Sequence, residues 1–358
     1  TQCALGLFVV VPLYTMLSGF YGVGVLDLIQ TVVIFVSAAV LGIAAWNMIP
    51  DAASLAGFAE KITGNPNWTA TSPAWRVEMP TQDYAQYNLL LVMMVFYLVR
   101  NVIAGMGSGG EPRYFGSRSD RECGYQSVLV SWLIMIRWPM MIGIAVIGLY
   151  VVGDEFGGSR DKIEEQAGQT AALVKSYFPE IEQADWRNRL ADVRTNIDSY
   201  PPDLKTDLAA TLGDDWKNKL QLVGFHGTID PEMILPAVIF YSVPPGLLGF
   251  ALIAVIAASM STFDSSLNMA SGFLIRDVYQ RFLRPAARNR EIIAASWAAT
   301  LGIALLGLWW GRNLRSINEI WGFISMVLSA AVVGPGLLRY YWWRMNGWGT
   351  AIGMVVGG

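Results

Sequence analysis

The residues from Ala257 to Asn268, AASMSTFDSSLN, place hydroxyls, a carboxylate and an amide inside a stretch that is otherwise apolar enough to enter a bilayer. The whole run from Leu247 to Leu283 starts apolar, fills with Ser, Thr, Asp and Asn around Ser259, and ends in an arginine-bearing segment. At about 100° per residue, Asp264, Asn268, Ser261, Ser265, Ala258, Thr262 and Ser266 share one broad arc of a helix, while Phe263, Leu267, Phe273 and Leu274 mostly lie outside it. Polar side chains at membrane depth face a bundle interior, a cavity or an ion path. The competing reading is that the hydroxyls bond back to carbonyls one turn earlier or act as interhelical glue. Asp264 weighs against that second reading, because a carboxylate in hydrocarbon costs several kcal/mol unless neutralised or paired.

Other charged groups sit inside apolar segments. Asp27 and Gln30 fall in the first turns of one span, Arg100 and Asn101 near the end of another, and Arg137 within a third. A buried arginine suits bidentate recognition of a carboxylate, which points to an anionic organic solute. Alternatively, Arg100 or Arg137 neutralises Asp264. Gly105, Gly107 and Gly110 match a dinucleotide fingerprint in spacing, but they follow an apolar helix and lack a βαβ context, so they are read as a helix break. One histidine, His226, and two cysteines, Cys3 and Cys123, support neither a transition-metal site nor a disulfide framework. HExxH and GxSxG patterns are absent and the hydroxyl cluster lacks a base, which argues against an enzyme.

The 358 residues are 54% apolar and 15% charged, with a net charge of −3. A soluble domain carries about a quarter charged residues, so the composition is that of an all-α polytopic membrane protein. The small net charge and the lack of a basic stripe give no support to nucleic-acid binding. The sequence begins at Thr1 and ends at Gly358 inside apolar runs and reads as a fragment of a longer protein.

Apolar spans are expected at Cys3–Leu17, Val23–Met48, Asn88–Met106, Val128–Val152, Leu247–Leu283, Ile292–Trp310 and Ile317–Leu338, with another starting at Trp348. A Ser-Gly-Phe-Tyr-Gly turn separates the first two, and Arg137-Trp138-Pro139 interrupts the fourth. Asp51–Tyr87 reads as a polar loop with a short helix; its Asn67-Trp68-Thr69 fits a glycosylation sequon. Gly153–Glu232 holds more than half of the acidic residues and reads as a soluble insertion with amphipathic helices at Asp161–Tyr177, Glu180–Ile197 and Pro202–Leu222. Trp186 and Trp216 are expected to anchor small cores there. Asp230–Tyr241 reads as a semi-apolar helix. The domains are therefore membrane helices over 1–152, the insertion over 153–232, and membrane helices over 233–358. Arg113, Arg118 and Arg121, then Arg276 to Arg290, then Arg339 and Arg344 crowd loops on one side, which the positive-inside rule assigns to the cytoplasm. The insertion then faces outside a plasma (inner) membrane.

The run Ala257–Asn268, continuing to Arg276-Asp277-Val278-Tyr279, resembles the eighth core helix of the sodium:solute symporter family. Gly22–Gln30 is similar to that family's fifth core helix, where T-D-x-x-Q is usual and Leu26 here replaces the Thr. Gly109–Glu122 is similar to the segment joining its sixth and seventh helices, with Pro112-Arg113 where Q-R is typical. The resemblance implies a leucine-transporter-like inverted repeat, of which this chain carries the part from about the fourth core helix onward. It implies a sodium ion held by the Ala258 carbonyl and the Ser261 and Thr262 hydroxyls, and a place for Asp27, with Asp264 nearby, on the ion path. Sodium, a hard cation, prefers such oxygens. Arg100, Asn101 and Arg137 fall where the family lines its substrate cavity; Ile103 and Ala104 do not reproduce a sugar-binding pattern. The function so implied is sodium-coupled import of a small solute by alternating access. The alternative is a symporter-like sensor domain attached to a signalling module.

Overall fold

The computed structural model describes residues 2–49, 51–79, 82–106, 116–181, 185–243, 245–311 and 316–357. Nearly all of these are helical, and the strand-like pairing among them is an isolated bridge between Val223 and Ile229. The expected break at Gly105–Gly110 and the Pro112-Arg113 pair extend outside the described residues. Among the described residues, four helices are long and apolar enough to cross a membrane: Tyr21–Met48, Asp120–Glu155, Leu248–Leu283 and Asn289–Gly311. In lipid every backbone polar group must be satisfied within the chain, which is why apolar runs of this length are helical. The chain divides into two compact units.

The first unit comprises Thr1–Ile43, Gly124–Met141 and Val243–Leu314. Its opening helix, α1 (Gln2–Met48), is broken at Gly19, whose φ of 60° and ψ of −162° are open to glycine and strained for other residues. This is the expected Ser-Gly-Phe-Tyr-Gly turn. The organising stretch is helical throughout, α-helical over Pro245–Phe273 and π-wound over Leu274–Leu283, and the helix Asn289–Gly311 follows it. Helix Asp120–Glu155 passes from one unit into the other and runs through Arg137-Trp138-Pro139 without interruption, correcting the expected break. A proline in a membrane helix is tolerated because local winding and neighbouring groups re-satisfy the backbone.

The second unit comprises Ala44–Cys123, Ile142–Ser242 and Arg315–Gly358. The loop after α1 holds α2 (Ala52–Thr63), started by Asp51, whose carboxylate accepts from the Ser54 N–H at 2.8 Å, and ended by the left-handed Gly64. Phe58 of α2 stacks on Tyr150 with ring centroids 4.6 Å apart. Helix α3 (Leu90–Met106) follows, and α4 is Asp120–Glu155.

The insertion folds as α5 (Arg160–Tyr177), α6 (Trp186–Thr195), α7 (Pro202–Leu212) and α8 (Trp216–Leu222). Its core is read directly from helical spacing: Ile163, Ala167, Ala171 and Val174 from α5 and Leu204, Leu208 and Leu212 from α7 are buried together with Leu190, Val193 and Leu220. Where one helix was expected over Pro202–Leu222 there are two. Gly213 and Asp215, both at positive φ, turn the chain between them. Trp186 is buried in this core, whereas Trp216 is half-exposed beneath the Lys217 ammonium. The expected helix Asp230–Tyr241 is a sequence of tight pieces, 3₁₀ over Pro231–Met233, α over Ile234–Ala237 and π over Val238–Ser242.

The organising helix is α9 (Pro245–Phe273) and its successor α10 (Asn289–Gly311). In the second unit α11 (Ile317–Gly322) is capped by Ser316, continues in π winding over Phe323–Leu328, and is followed by α12 (Ser329–Tyr341) and α13 (Gly347–Gly357).

Candidate ion and solute site

The polar residues of α9 divide into two sets. Ser259 donates to the Val255 carbonyl at 2.9 Å, Thr262 to the Ala258 carbonyl at 3.1 Å, and Ser271 to the Asn268 carbonyl at 3.1 Å. These hydroxyls satisfy themselves on their own helix. Ser261 and Ser265 instead reach across to α1. Ser261 Oγ donates to Asp27 Oδ1 at 2.5 Å and Ser265 Oγ to Asp27 Oδ2 at 3.1 Å, so both oxygens of one carboxylate are held by successive turns of α9.

Asp264 points elsewhere. It is fully buried and accepts a hydrogen bond from the Tyr14 hydroxyl, while its Oδ1 has no hydrogen-bond partner among the described residues. The hydrogen-bond donor that Asp264 meets is thus a tyrosine hydroxyl, which carries no charge. Gln30, on α1 one turn beyond Asp27, is likewise buried with Oε1 unpartnered. Buried polar atoms are nearly always satisfied, so two such oxygens mark places where a further donor or cation would be welcome.

One turn of α9 thus meets α1 twice, at Tyr14 and at Asp27. In a continuous helix those residues would lie about 20 Å apart, at 1.5 Å per residue. They converge on neighbouring α9 residues because the chain turns at Gly19. The Met16 carbonyl, just before that break, accepts from the Trp297 indole of α10 at 2.9 Å, which satisfies a carbonyl that the interrupted helix leaves free. Phe8 packs on Phe263 with centroids 5.0 Å apart, fixing the apolar side of the same contact.

Of the sequence-derived candidates, Ala258 and Thr262 are exposed, Ser261, Ser265 and Asp27 half-buried, and Asp264 buried. The broad polar arc is real but has two ends that do different things. Arg100 is half-exposed and donates to its neighbour Asn101 at 3.2 Å; Arg137 is exposed on α4. Tyr14 and Trp297 were missed. A single Tyr hydroxyl within the apolar run Cys3–Leu17 was the available signal, because a buried phenol seeks an acceptor.

The hydroxyls of Ser261 and Thr262 both spend their protons, on Asp27 and on Ala258. Their lone pairs remain, which is the orientation that an oxygen donor needs toward a hard cation. Among the described residues no cluster of His, Cys, Asp and Glu could hold a transition metal.

Comparison with known proteins bears on the same region. The sodium:solute symporter family model matches residues 218–357. The high-affinity proline transporter of Bacillus subtilis is 35% identical over 136 residues, 36% of this chain and 27% of that protein. The osmoregulated proline transporter of the same organism is 34% identical over 131 residues, 36% of this chain and 26% of the relative. The high-affinity choline transporter 1 of Torpedo marmorata is 31% identical over 148 residues, 40% of this chain and 25% of the relative. The matches thus span about a quarter of each relative's length. These relatives are named as transporters and not as enzymes, and neither proline nor choline is an anion, so the expected anionic solute finds no support. No solved structure matches the chain. The matched stretch, residues 218–357, contains the whole of α9 and is similar to the sodium:solute symporter family.

Proposed function

We propose that this chain works within a sodium-coupled secondary transporter that imports a small organic solute by alternating access. The observation that carries the reading is the paired hold of Ser261 and Ser265 on Asp27, within the stretch of α9 that matches a symporter family. Sodium is the transported coupling ion. The Ala258 carbonyl and the Ser261 and Thr262 hydroxyls offer it neutral oxygens, and Asp27 and Asp264 supply negative charge along its path. The relatives' names, proline and choline, favour a zwitterionic or cationic solute. Arg100 with Asn101, or alternatively Arg137, would then serve the carboxylate end of a zwitterion. The basic loops face the cytoplasm and the insertion lies outside a plasma membrane.

The test is thermal unfolding of the full-length protein in detergent across a sodium titration, with N-methylglucamine holding ionic strength. A specific site stabilises the folded protein by about 2.7 kcal/mol at a hundredfold excess over the dissociation constant. Ser261→Ala and Thr262→Ala should each abolish that gain. Uptake of proline and of choline into proteoliposomes under an inward sodium gradient then assigns the solute class. Indistinguishable unfolding in sodium and N-methylglucamine would sink sodium coupling at this site.

A further inference from the structure

The helix that begins as α9 does not end at Phe273 but changes pitch, and Leu274–Leu283 is wound as a π-helix. Such a long π run is unusual; most are single turns at functional sites. At roughly 4.4 residues per turn, the winding of an i→i+5 helix, Leu274, Val278, Phe282 and Leu283 fall on one side and Arg276, Asp277, Gln280 and Arg281 on the other. At the α-helical 100° per residue, Arg281 would instead lie beside Leu274. The change of pitch therefore sorts the arginines from the apolar side chains.

That apolar row is not covered. Leu274, Val278, Phe282 and Leu283 are 43%, 43%, 71% and 65% exposed, while Ile275 is buried and fastens the segment to its own unit. Arg276 and Arg281 on the π turns, and Arg284, Arg288 and Arg290 just after them, are all exposed. None forms an ion pair among the described residues, and Arg281 lies over its neighbour Phe282 at 5.4 Å. Over residues 274–291 five arginines face Asp277 and Glu291, a formal excess of three positive charges at the end of Leu248–Leu283, a helix long and apolar enough to cross a membrane.

We propose that residues 274–290 form an interfacial platform that binds the headgroups of anionic phospholipids. Leu274, Val278, Phe282 and Leu283 sit at the acyl boundary, and the arginines meet headgroup phosphates. An exposed apolar row backed by unpaired guanidinium groups is the signature of a helix lying in the bilayer interface, and charge complementarity selects anionic over zwitterionic headgroups. The platform fixes the end of α9, the helix whose other turns hold Asp27.

The test uses the full-length protein in nanodiscs of phosphatidylcholine with and without phosphatidylglycerol. Hydrogen exchange over 274–290 and phosphatidylglycerol retained in native mass spectrometry are the readouts. Phosphatidylglycerol should slow exchange in this segment, and its retention should fall about fivefold for each arginine removed, from the ~1 kcal/mol that each basic residue contributes at such a surface. The Arg288→Gln/Arg290→Gln variant tests this outside the π turns. Replacing all five arginines with lysine should preserve both the fold and the headgroup preference, since a point charge suffices. Exchange that is equal in the two lipids, or glutamine variants that retain phosphatidylglycerol as the parent does, would overturn the proposal. Protection by an added polyglutamate peptide but not by phosphatidylglycerol would assign the face to an acidic protein and also overturn it. Neither readout depends on sodium or solute transport.

Discussion

The contact between Ser261 and Asp27 lends itself to a double-mutant cycle. The perturbations are Ser261→Ala, Asp27→Asn and the two together, made in the full-length protein and unfolded in mixed micelles of rising dodecyl sulfate content without sodium. The hydrogen bond is 2.5 Å long, joins two helical segments and has a carboxylate as acceptor. Interhelical hydrogen bonds in membranes average about 0.6 kcal/mol and reach about 1.7. Bonds to charged groups elsewhere contribute about 1.5–3 kcal/mol. Both residues are half-buried, so we expect a coupling energy of about 1.5 kcal/mol, at the top of the membrane range. Ser265→Ala in place of Ser261→Ala should couple to Asp27 more weakly, because its bond is 3.1 Å long. Thr262, bonded to its own helix, should show no coupling to Asp27. Additivity of Ser261→Ala and Asp27→Asn within about 0.3–0.5 kcal/mol would refute the contact. Coupling as large for Thr262 would refute the division of α9 into self-bonded and cross-helix hydroxyls.

Four further outcomes follow from the geometry. Tyr14→Phe removes the hydroxyl that meets buried Asp264 and should destabilise the protein by about 1–3 kcal/mol, with Asp264→Asn restoring part of the loss; the same unfolding assay reads both. Gly19→Ala, at φ 60°, should cost about 1–3 kcal/mol through backbone strain alone, because the added Cβ would meet nothing within 4 Å beyond the adjoining chain; a null effect on unfolding would contradict the turn. In the insertion, Arg194 is 9% exposed and bonds Asp230 at 3.0 Å and the Gln221 carbonyl at 3.2 Å; Arg194→Met should therefore raise hydrogen exchange across α6 and α8 while leaving α9 unchanged. Tyr177 donates to Asp207 at 2.5 Å, which raises its phenol to about 12. The proton stays on longer in the folded state than in the unfolded one, so this contribution is intact below pH 10 and is lost between about 10 and 12. Ultraviolet titration should show the delayed ionisation, and Tyr177→Phe should remove that part of the alkaline loss.

Much of the architecture was legible in residue order. Apolar runs too long for a soluble core forced helices, because lipid offers no partner for backbone groups. The Ser-Gly-Phe-Tyr-Gly turn was legible because glycine alone tolerates the conformation at Gly19. The insertion helices showed in apolar residues three and four apart, as at Leu204, Leu208 and Leu212. Helix ends were less clear: the continuity through Pro139 and the turn at Gly213–Asp215 depend on local winding that propensity does not resolve.

The candidate site divides along the same line. Periodicity alone put Ser261, Thr262, Asp264 and Ser265 on one arc, since it depends only on a fixed angle per residue. It could not tell which hydroxyl bonds its own helix, because the donors are chemically equivalent until a second helix offers an acceptor. Tertiary structure made that choice by turning α1 at Gly19, which brings Tyr14 and Asp27, distant along a straight helix, onto one turn of α9. Composition determined that Asp264 needed a partner. Only the packing of α1 against α9 decided that the partner is a tyrosine, since that choice depends on which side chain comes within hydrogen-bonding reach.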